Sequence, residues 1–115
     1  MSNNNEFNEL GGFYILQKED EPNLIKIGMT GRENTDMRTI GYPRKEGWIV
    51  RMAFRIKDYR TFEYVAKKLL KGWFRQRRDW GYEYFEGDYN QIEELIINLK
   101  KNFLKLNSYI SPIVH

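Results

Sequence analysis

Two short apolar runs near the N-terminus, separated by an acidic turn, are the feature that most restricts how this chain can fold. The first run spans residues 12–16 and the second spans residues 24–30. Both are bounded by turn residues, as paired strands are. The linker over residues 17–23 is polar and is closed by Pro22-Asn23, which is typical of a hairpin loop. The sequence therefore predicts an antiparallel hairpin around which the other elements are arranged.

Each run of the hairpin carries one polar side chain with useful chemistry, the phenol of Tyr14 and the ammonium of Lys26. The two positions are an even number apart, as residues on one face of an antiparallel pair are. We therefore expect both side chains on one face. By residue type alone Tyr14 is a half-buried core aromatic, whereas a lysine between two isoleucines inside a strand is uncommon and harder to explain by packing.

The segment after the hairpin predicts a short helix, a third strand and a longer helix. Pro43 stops the short helix, because the residue before proline disfavours helical geometry. Residues 48–56 alternate as a strand does, with an apolar face at positions 50, 52, 54 and 56 and a largely basic opposite face. Asp58 then caps a helix to about residue 74, whose buried stripe ends with Trp73 or Phe74. Core packing is the interpretation that we favour for Trp73.

The C-terminal half predicts a basic loop over residues 75–81, a last strand over residues 82–86 and a final helix. Asp88 and Gln91 form the capping box that opens this helix, and its apolar stripe continues to Asn107. The element order β-β-α-β-α-β-α contains no parallel-sheet run. We therefore predict a small α+β single domain, with a central antiparallel sheet of three to four strands flanked by helices.

The domain is expected over residues 11–107, between a flexible N-terminal arm of residues 1–10 and a C-terminal tail of residues 108–115. Because the chain has no cysteine, neither a disulfide framework nor a thiolate metal site can form. No apolar run approaches the roughly 20 residues that a membrane span needs, and the N-terminus lacks the basic and apolar parts of a signal peptide. We expect an intracellular protein with no membrane partner.

Positive charge is concentrated in one contiguous third of the chain, although the formal net charge is only +3. From Arg38 to Arg78 thirteen Lys and Arg residues stand against three acidic ones, whereas the remainder carries six basic and thirteen acidic residues. This asymmetry favours a polyanionic partner, and nucleic acid is the polyanion that we expect. Solvated helix faces are the common alternative for runs of charge.

Gly12-Phe13-Tyr14 and Lys26-Ile27-Gly28 resemble the two halves of the signature of the GIY-YIG nuclease domain. Lysine in place of the tyrosine that usually opens the second half resembles the branch shared by some restriction enzymes and by short phage and large-virus proteins. The resemblance spans roughly residues 12–100. It implies a phage or viral protein, placed in the cytoplasm of a prokaryotic host or, for a large eukaryotic virus, in the cytoplasm, nucleus or virion.

Three further positions match the family in order. Arg38 resembles the family's arginine after the hairpin, and Tyr42 matches a tyrosine of the lysine-bearing restriction enzymes. Glu63 lies in the helix where the family keeps its metal-binding carboxylate. Tyr84-Phe85 resembles the Glu-aromatic-Phe strand that closes the viral branch, and Lys67 stands about one helical turn after Glu63, where that branch often has a histidine.

The resemblance implies hydrolysis of phosphodiester bonds by a single-metal mechanism. Glu63 would hold one Mg²⁺ or Mn²⁺, with waters and phosphate oxygens in the other positions. Arg38 would bind the scissile phosphate, because a planar guanidinium can do so bidentately. Lys26 or Tyr14 would take the proton of the attacking water, which for the amine requires burial beside a like charge. Tyr42 would pass protons or orient the water.

Basic and aromatic side chains are the candidates for holding the substrate. Phosphates would be bound by Arg32, Arg44, Lys45, Lys67, Lys68, Arg75, Arg77 and Arg78. The arginines at 75, 77 and 78 are favoured because loops concentrate binding groups, and Trp48 or Trp80 could stack an unpaired base. We expect DNA rather than RNA. Cutting both strands at once would need a second copy of the chain, which a homodimer provides.

Ordinary structural roles remain open for the same residues. Arg38 can be an exposed helix residue in a weak salt bridge, Glu63 can pair with Lys67 four residues on, and Tyr42 can pack in the turn before Pro43. The favoured function is a metal-dependent DNA endonuclease. The alternatives are a catalytically inactive nucleic-acid-binding module of the same fold and a protein-interaction domain that binds an acidic partner.

Overall fold

A computed structural model of the chain describes residues 10–30 and 46–114, with side chains described up to residue 105. The described elements are β1 (Leu10–Lys18), β2 (Leu24–Thr30), β3 (Trp48–Lys57), α1 (Tyr59–Trp73), β4 (Arg75–Gln76), β5 (Tyr84–Glu86) and α2 (Tyr89–Val114). The short helix predicted before Pro43 lies outside the described residues.

One antiparallel sheet organises the domain, with its strands in the order β3-β1-β2-β5-β4. The hairpin of β1 and β2 forms as predicted, and β1 is an interior strand of the sheet because it also pairs with β3 along nearly its whole length. The α+β class is confirmed, with five strands where three to four were predicted. The additional strand is β4, which pairs Arg75 with Glu86 and Gln76 with Phe85. Two residues are too short for any periodicity, so this segment was predicted as loop.

The main core lies between one face of the sheet and the two helices. Phe13 of β1 and Phe62 of α1 are fully buried, and their ring centroids lie 5.0 Å apart in an edge-to-face arrangement. Ile92 and Ile96, one turn apart on α2, close the same core. Burial of each such side chain stabilises the fold by roughly 1.5–3 kcal/mol. The three- and four-residue spacing predicted for the stripes of α1 and α2 thus forms the contact with the sheet.

A β-bulge in β3 divides its residues between the two faces of the sheet. Ile15 of β1 pairs with Met52, but the next residue, Leu16, pairs with Val50, so Arg51 has no partner in this ladder. The extra residue inverts the alternation. Val50 therefore lies with Leu16 and the second core cluster, whereas the prediction put Val50 on the same face as Met52. That prediction was wrong because an unbroken strand was assumed.

The helix ends differ in detail from their predictions. Helix α1 begins after Asp58 as expected, but Asp58 has a left-handed backbone (φ 56°) and its carboxylate accepts a hydrogen bond from the Thr61 hydroxyl at 2.9 Å, not from a backbone amide. At α2, Asp88 does cap the helix, since it accepts a hydrogen bond from the Gln91 amide at 3.2 Å.

The last residue of α1 points away from the core. Trp73 is 70% exposed, so its predicted core packing is wrong. The chain leaves the helix in extended geometry at Phe74, which instead turns inward and packs closely against Gly87. Helix periodicity alone cannot choose between two adjacent aromatics when the helix ends between them.

Helix α2 extends to Val114, beyond the predicted end of the stripe at Asn107. The segment after Asn107 contains no glycine, the residue that most often ends a helix. Within the described parts of the chain, neither helix combines the length and apolarity that crossing a membrane requires.

Candidate active site

The phenol of Tyr14 and the ammonium of Lys26 lie on the face of the sheet opposite the main core. Tyr14 pairs with Gly28 and Leu16 pairs with Lys26, so the two polar residues are diagonal neighbours across β1 and β2. Their predicted common face is confirmed. Both side chains are half-buried, which leaves them accessible to a ligand while they are supported by the strands.

The close approach of Tyr14 to β2 depends on Gly28. A Cβ atom at Gly28 would lie 2.6 Å from both Cζ and the hydroxyl oxygen of Tyr14. Such a separation is far below van der Waals contact, so the ring occupies the space that any other residue would fill. The glycine of Lys26-Ile27-Gly28 therefore fixes where the phenol lies.

Three charged groups act on the Tyr14 phenol. Burial raises the pKa of Tyr14 above its ordinary value of 10, the positive charge of Lys26 lowers it, and the negative charges of Glu83 and Glu63 raise it. The phenol therefore keeps its proton at neutral pH and is a hydrogen-bond donor there. To act as a proton acceptor, Tyr14 would first have to lose this proton. The charges of Lys26 and Glu63 therefore both act on the Tyr14 phenol.

Glu63, on α1, is a buried carboxylate whose charge also acts on the Tyr14 phenol. Of the charged residues that the structure describes, Glu63 alone is buried, with 5% of its surface exposed. Its Oε2 lies 2.9 Å from Nζ of Lys67, so the i,i+4 pair considered from the sequence is present. Even so, the two groups are not aligned as a hydrogen bond, and Oε2 has no hydrogen-bond partner among the described residues. The contact is thus a close ion pair in which the ammonium is not aligned with a lone pair of this buried oxygen.

A second carboxylate approaches the same ammonium. Oε2 of Glu83 lies 4.0 Å from Nζ of Lys67. Glu83 is held there by its backbone, since its carbonyl oxygen accepts a hydrogen bond from the Ile27 amide at 3.0 Å. Glu83 precedes Tyr84-Phe85, as the glutamate does in the Glu-aromatic-Phe strand that this segment resembles, but no role was predicted for it. Its approach to Lys67 depends on how the segment before β5 pairs with β2.

The donor set suits a hard divalent cation held by one protein carboxylate. A buried glutamate oxygen without a hydrogen bond is a ligand that Mg²⁺ and Mn²⁺ accept, and Mg²⁺ commonly keeps several waters as its other ligands. Among the described residues, no group of three or more Asp, Glu, His or Cys side chains forms a ligand cluster. Arg38 and Tyr42 lie outside the described residues, so their predicted roles stay predictions.

An aromatic cluster adjoins the site on the same face of the sheet. The ring of Trp80 lies 5.9 Å from that of Trp48 and 5.6 Å from that of Tyr84, between centroids. Lys26 connects the cluster to Tyr14, because its Nζ lies 5.5 Å from the centroid of Tyr84. Trp48 is buried and cannot stack a base, whereas Trp80 is 43% exposed. Of the two tryptophans considered from the sequence, Trp80 is therefore the one with an accessible ring.

The predicted phosphate-binding arginines differ in their surroundings. Arg77 is bound at 2.8 Å by Asp79 and at 3.1 Å by Glu21 of the hairpin turn. These hydrogen bonds raise the pKa of Arg77 and lower that of Asp79 to about 2. Arg75 lies 3.5 Å from Glu86. Arg77 thus connects its loop to the hairpin, and its charge is neutralised within the fold.

Two other predicted phosphate ligands contact aromatic rings. The guanidinium of Arg78 lies 4.3 Å from the ring centroid of Tyr82, and Nζ of Lys68 lies 5.4 Å from that of Tyr64. Neither contact neutralises the cation, so both charges remain available to a polyanion. Lys67 is paired with carboxylates, as described above. The predicted ligands Arg32, Arg44 and Lys45 lie outside the described residues.

Comparison with known proteins gives one match. Residues 11–100 match the family model described as the T5orf172 domain. No curated protein and no solved structure matches the chain. The matched span includes the hairpin, α1 with Glu63 and the segment with Glu83, so it contains every described residue of the candidate site.

Proposed function

The chain belongs to the T5orf172 domain family, which is grouped with the GIY-YIG and HNH-like nucleases. We propose that the protein is a divalent-metal-dependent endonuclease that hydrolyses phosphodiester bonds in DNA. The observation that carries the proposal is Glu63. It is a buried carboxylate whose Oε2 is contacted at 2.9 Å by the Lys67 ammonium, and its negative charge acts on the same phenol as the positive charge of Lys26. A residue that served packing alone would not require this charge.

Hydrolysis needs an activated water, relief of charge on the phosphate and stabilisation of the leaving alkoxide, which then takes a proton from solvent water. When bound at Glu63, Mg²⁺ or Mn²⁺ would supply charge neutralisation and a more acidic water. Lys26 would take the proton of the attacking water as the neutral amine, so its ammonium would first have to lose a proton, which the like charge of Arg38 would favour. Tyr14, which holds its own proton at neutral pH, would donate a hydrogen bond to a phosphate oxygen. Arg38 is proposed to bind the scissile phosphate and Tyr42 to orient the water, both from the family resemblance.

The substrate would be held beside this site by charge and by stacking. Arg78 and Lys68 retain unneutralised charges that can track phosphates. The exposed ring of Trp80 is connected through Tyr84 to Lys26, so a base stacked on Trp80 would lie near the proposed chemistry. This arrangement favours substrates with an unpaired base, such as a junction, a flap or single-stranded DNA.

A plasmid-nicking assay with Mg²⁺ or Mn²⁺ tests the proposal. We expect the wild type to cut, and Glu63→Gln to lose on the order of 100-fold or more, as enzymes do when a group that stabilises transition-state charge is removed. Glu94→Gln is the matched control, because Glu94 is exposed on α2 and the substitution changes the charge equally. Equal cutting by the wild type and Glu63→Gln would overturn the proposal.

The Glu63–Lys67 ion pair favours one second candidate, a nucleic-acid-binding module that does not cut. An ammonium on the only buried carboxylate of the described residues neutralises the group that a metal would need. Steeply salt-dependent DNA binding, together with background cutting equal in the wild type and Glu63→Gln, would establish this second function. Absence of salt-dependent binding to DNA or RNA would favour the protein-interaction alternative.

A further inference from the structure

Lys67 is placed where it competes with a divalent cation for Glu63. Its Nζ lies 2.9 Å from Glu63 and 4.0 Å from Glu83, and the Glu63 side chain is only 7% exposed. We infer that Lys67 is an internal counter-cation of the site, that a divalent metal must displace it from Glu63, and that Glu83 is the carboxylate that receives it. The inference rests on the proposed metal role of Glu63.

The local geometry suits a contact that can be exchanged. Lys67 follows Glu63 by one turn of α1, so its stem begins beside the carboxylate. The ion pair lacks hydrogen-bond alignment at Oε2, and a lysine stem is flexible enough to turn its ammonium towards a second acceptor. Glu83 is already within 4.0 Å and is fixed to β2 through the Ile27 amide. A small rotation of the stem therefore exchanges one carboxylate for the other.

The consequence is a site that is neutralised before any metal arrives. A buried charge is costly without a partner of opposite sign, and Lys67 supplies that partner to Glu63 within the chain. A metal gains the carboxylate only by replacing that interaction, so the free protein should bind metal weakly. Substrate phosphates would add ligands and negative charge, so metal and substrate should bind cooperatively.

Direct binding of Mn²⁺ to the full chain, measured by electron paramagnetic resonance of the free ion, tests the inference. Lys67→Met removes the charge and keeps most of the stem, and Lys67→Gln also keeps a hydrogen-bond donor in case the first variant folds poorly. We expect both to bind Mn²⁺ about tenfold more tightly than the wild type, within the usual range of coupling between two binding events. Lys71→Met, an exposed site one turn further along α1, should leave the affinity unchanged.

Two outcomes separate failure of the inference from failure of the proposed function. If Glu63→Gln abolishes Mn²⁺ binding but the Lys67 variants bind no more tightly than the wild type, the inference is wrong and the metal role stands. If Glu63→Gln binds Mn²⁺ as the wild type does, the metal role of Glu63 is wrong and the inference falls with it.

The role of Glu83 is tested by a double-mutant cycle. Glu83→Gln alone should weaken Mn²⁺ binding, because Lys67 loses its second acceptor and stays on Glu63. In the Lys67→Gln background the same substitution should have little effect. An equal loss in both backgrounds would show that Glu83 acts on the metal directly, which would overturn its assignment as the acceptor of Lys67.

Discussion

At the scale of single residues, the position of the Tyr14 phenol depends on a missing side chain. The backbone of Gly28 is extended, and the ring of Tyr14 fills the space where a Cβ would stand. The phenol can therefore lie close to β2 only because residue 28 is glycine. The same contact accounts physically for the glycine in Lys26-Ile27-Gly28.

Gly28→Ala is expected to displace the Tyr14 ring. Overpacking of this kind costs about 1–3 kcal/mol, and a displaced phenol would also lower any nuclease activity. Urea unfolding of the variant measures the free energy. Gly72 provides the control, because nothing lies within 4 Å of a Cβ there. Gly72→Ala in α1 should raise the stability by roughly 0.5–1 kcal/mol, and a Gly28→Ala variant as stable as the wild type would contradict the expectation.

Single residues also show where sequence reasoning ends. The even spacing of Tyr14 and Lys26 alone predicted that they share one face of the sheet, and the register of β1 and β2 confirms this prediction. Glu63 could be expected at the edge of the core, because it directly follows Phe62, which belongs to the buried stripe of α1. The contact of Glu83 with Lys67 could not be predicted, since it depends on long-range pairing of the Glu83 backbone with β2. Trp73 was misplaced because α1 ends at that residue.

At the scale of elements, β3 contributes side chains to both the main core and the second core cluster. The bulge at Arg51 directs Trp48 and Val50 to the second cluster, while Met52, Phe54 and Ile56 face the helices. Local periodicity predicts the hairpin and both helices, because each repeats its pattern over several residues. It cannot reveal a bulge, which is a property of how two strands align, nor the two-residue strand β4.

The bulge is also where α2 is attached to the sheet. The Tyr89 hydroxyl lies 3.4 Å from the Arg51 carbonyl oxygen and 3.1 Å from a Glu93 carboxylate oxygen, and the Arg51 guanidinium lies 4.3 Å from the Tyr89 ring centroid. Burial and the charge of Glu93 raise the pKa of Tyr89 to about 12. One phenol thus connects the start of α2 to β3.

This raised pKa predicts how stability changes at alkaline pH. The folded protein holds the Tyr89 proton more tightly than the unfolded chain, so the contribution is complete below the ordinary tyrosine pKa and is lost as pH rises from about 10 to about 12. Urea unfolding across this range should show a smaller decline for Tyr89→Phe than for the wild type. Tyr64→Phe, at a phenol that is 60% exposed, is the control. Identical declines in the wild type and Tyr89→Phe would refute the assignment.

At the scale of the whole molecule, the acidic parts of the sequence neutralise some of the basic third. Glu21 and Asp79 bind Arg77, Glu86 lies near Arg75, and Glu83 approaches Lys67. The charge that remains for a polyanion is therefore smaller than a count along the chain indicates. Among the described residues, Arg78 is one side chain that keeps such a charge, and its guanidinium lies over the ring of Tyr82.

Arg77 and Arg78 offer a matched test, since they are adjacent and carry the same charge. Arg78→Ala should weaken DNA binding and reduce the slope of log K against log salt by about 1, as the loss of one phosphate contact does. Its urea midpoint should match that of the wild type. Arg77→Ala should instead lower the midpoint, because Glu21 and Asp79 lose their shared partner. The opposite pattern would show that the two roles are exchanged.

Strand β1 has neighbours on both sides, and it carries Tyr14. Amides between two strands open only with the whole domain, whereas short outer strands such as β4 can separate earlier. On heating, any activity should therefore be lost in the same transition as the fold. No folded but inactive state should appear in which the Tyr14 phenol has already moved away from its neighbours.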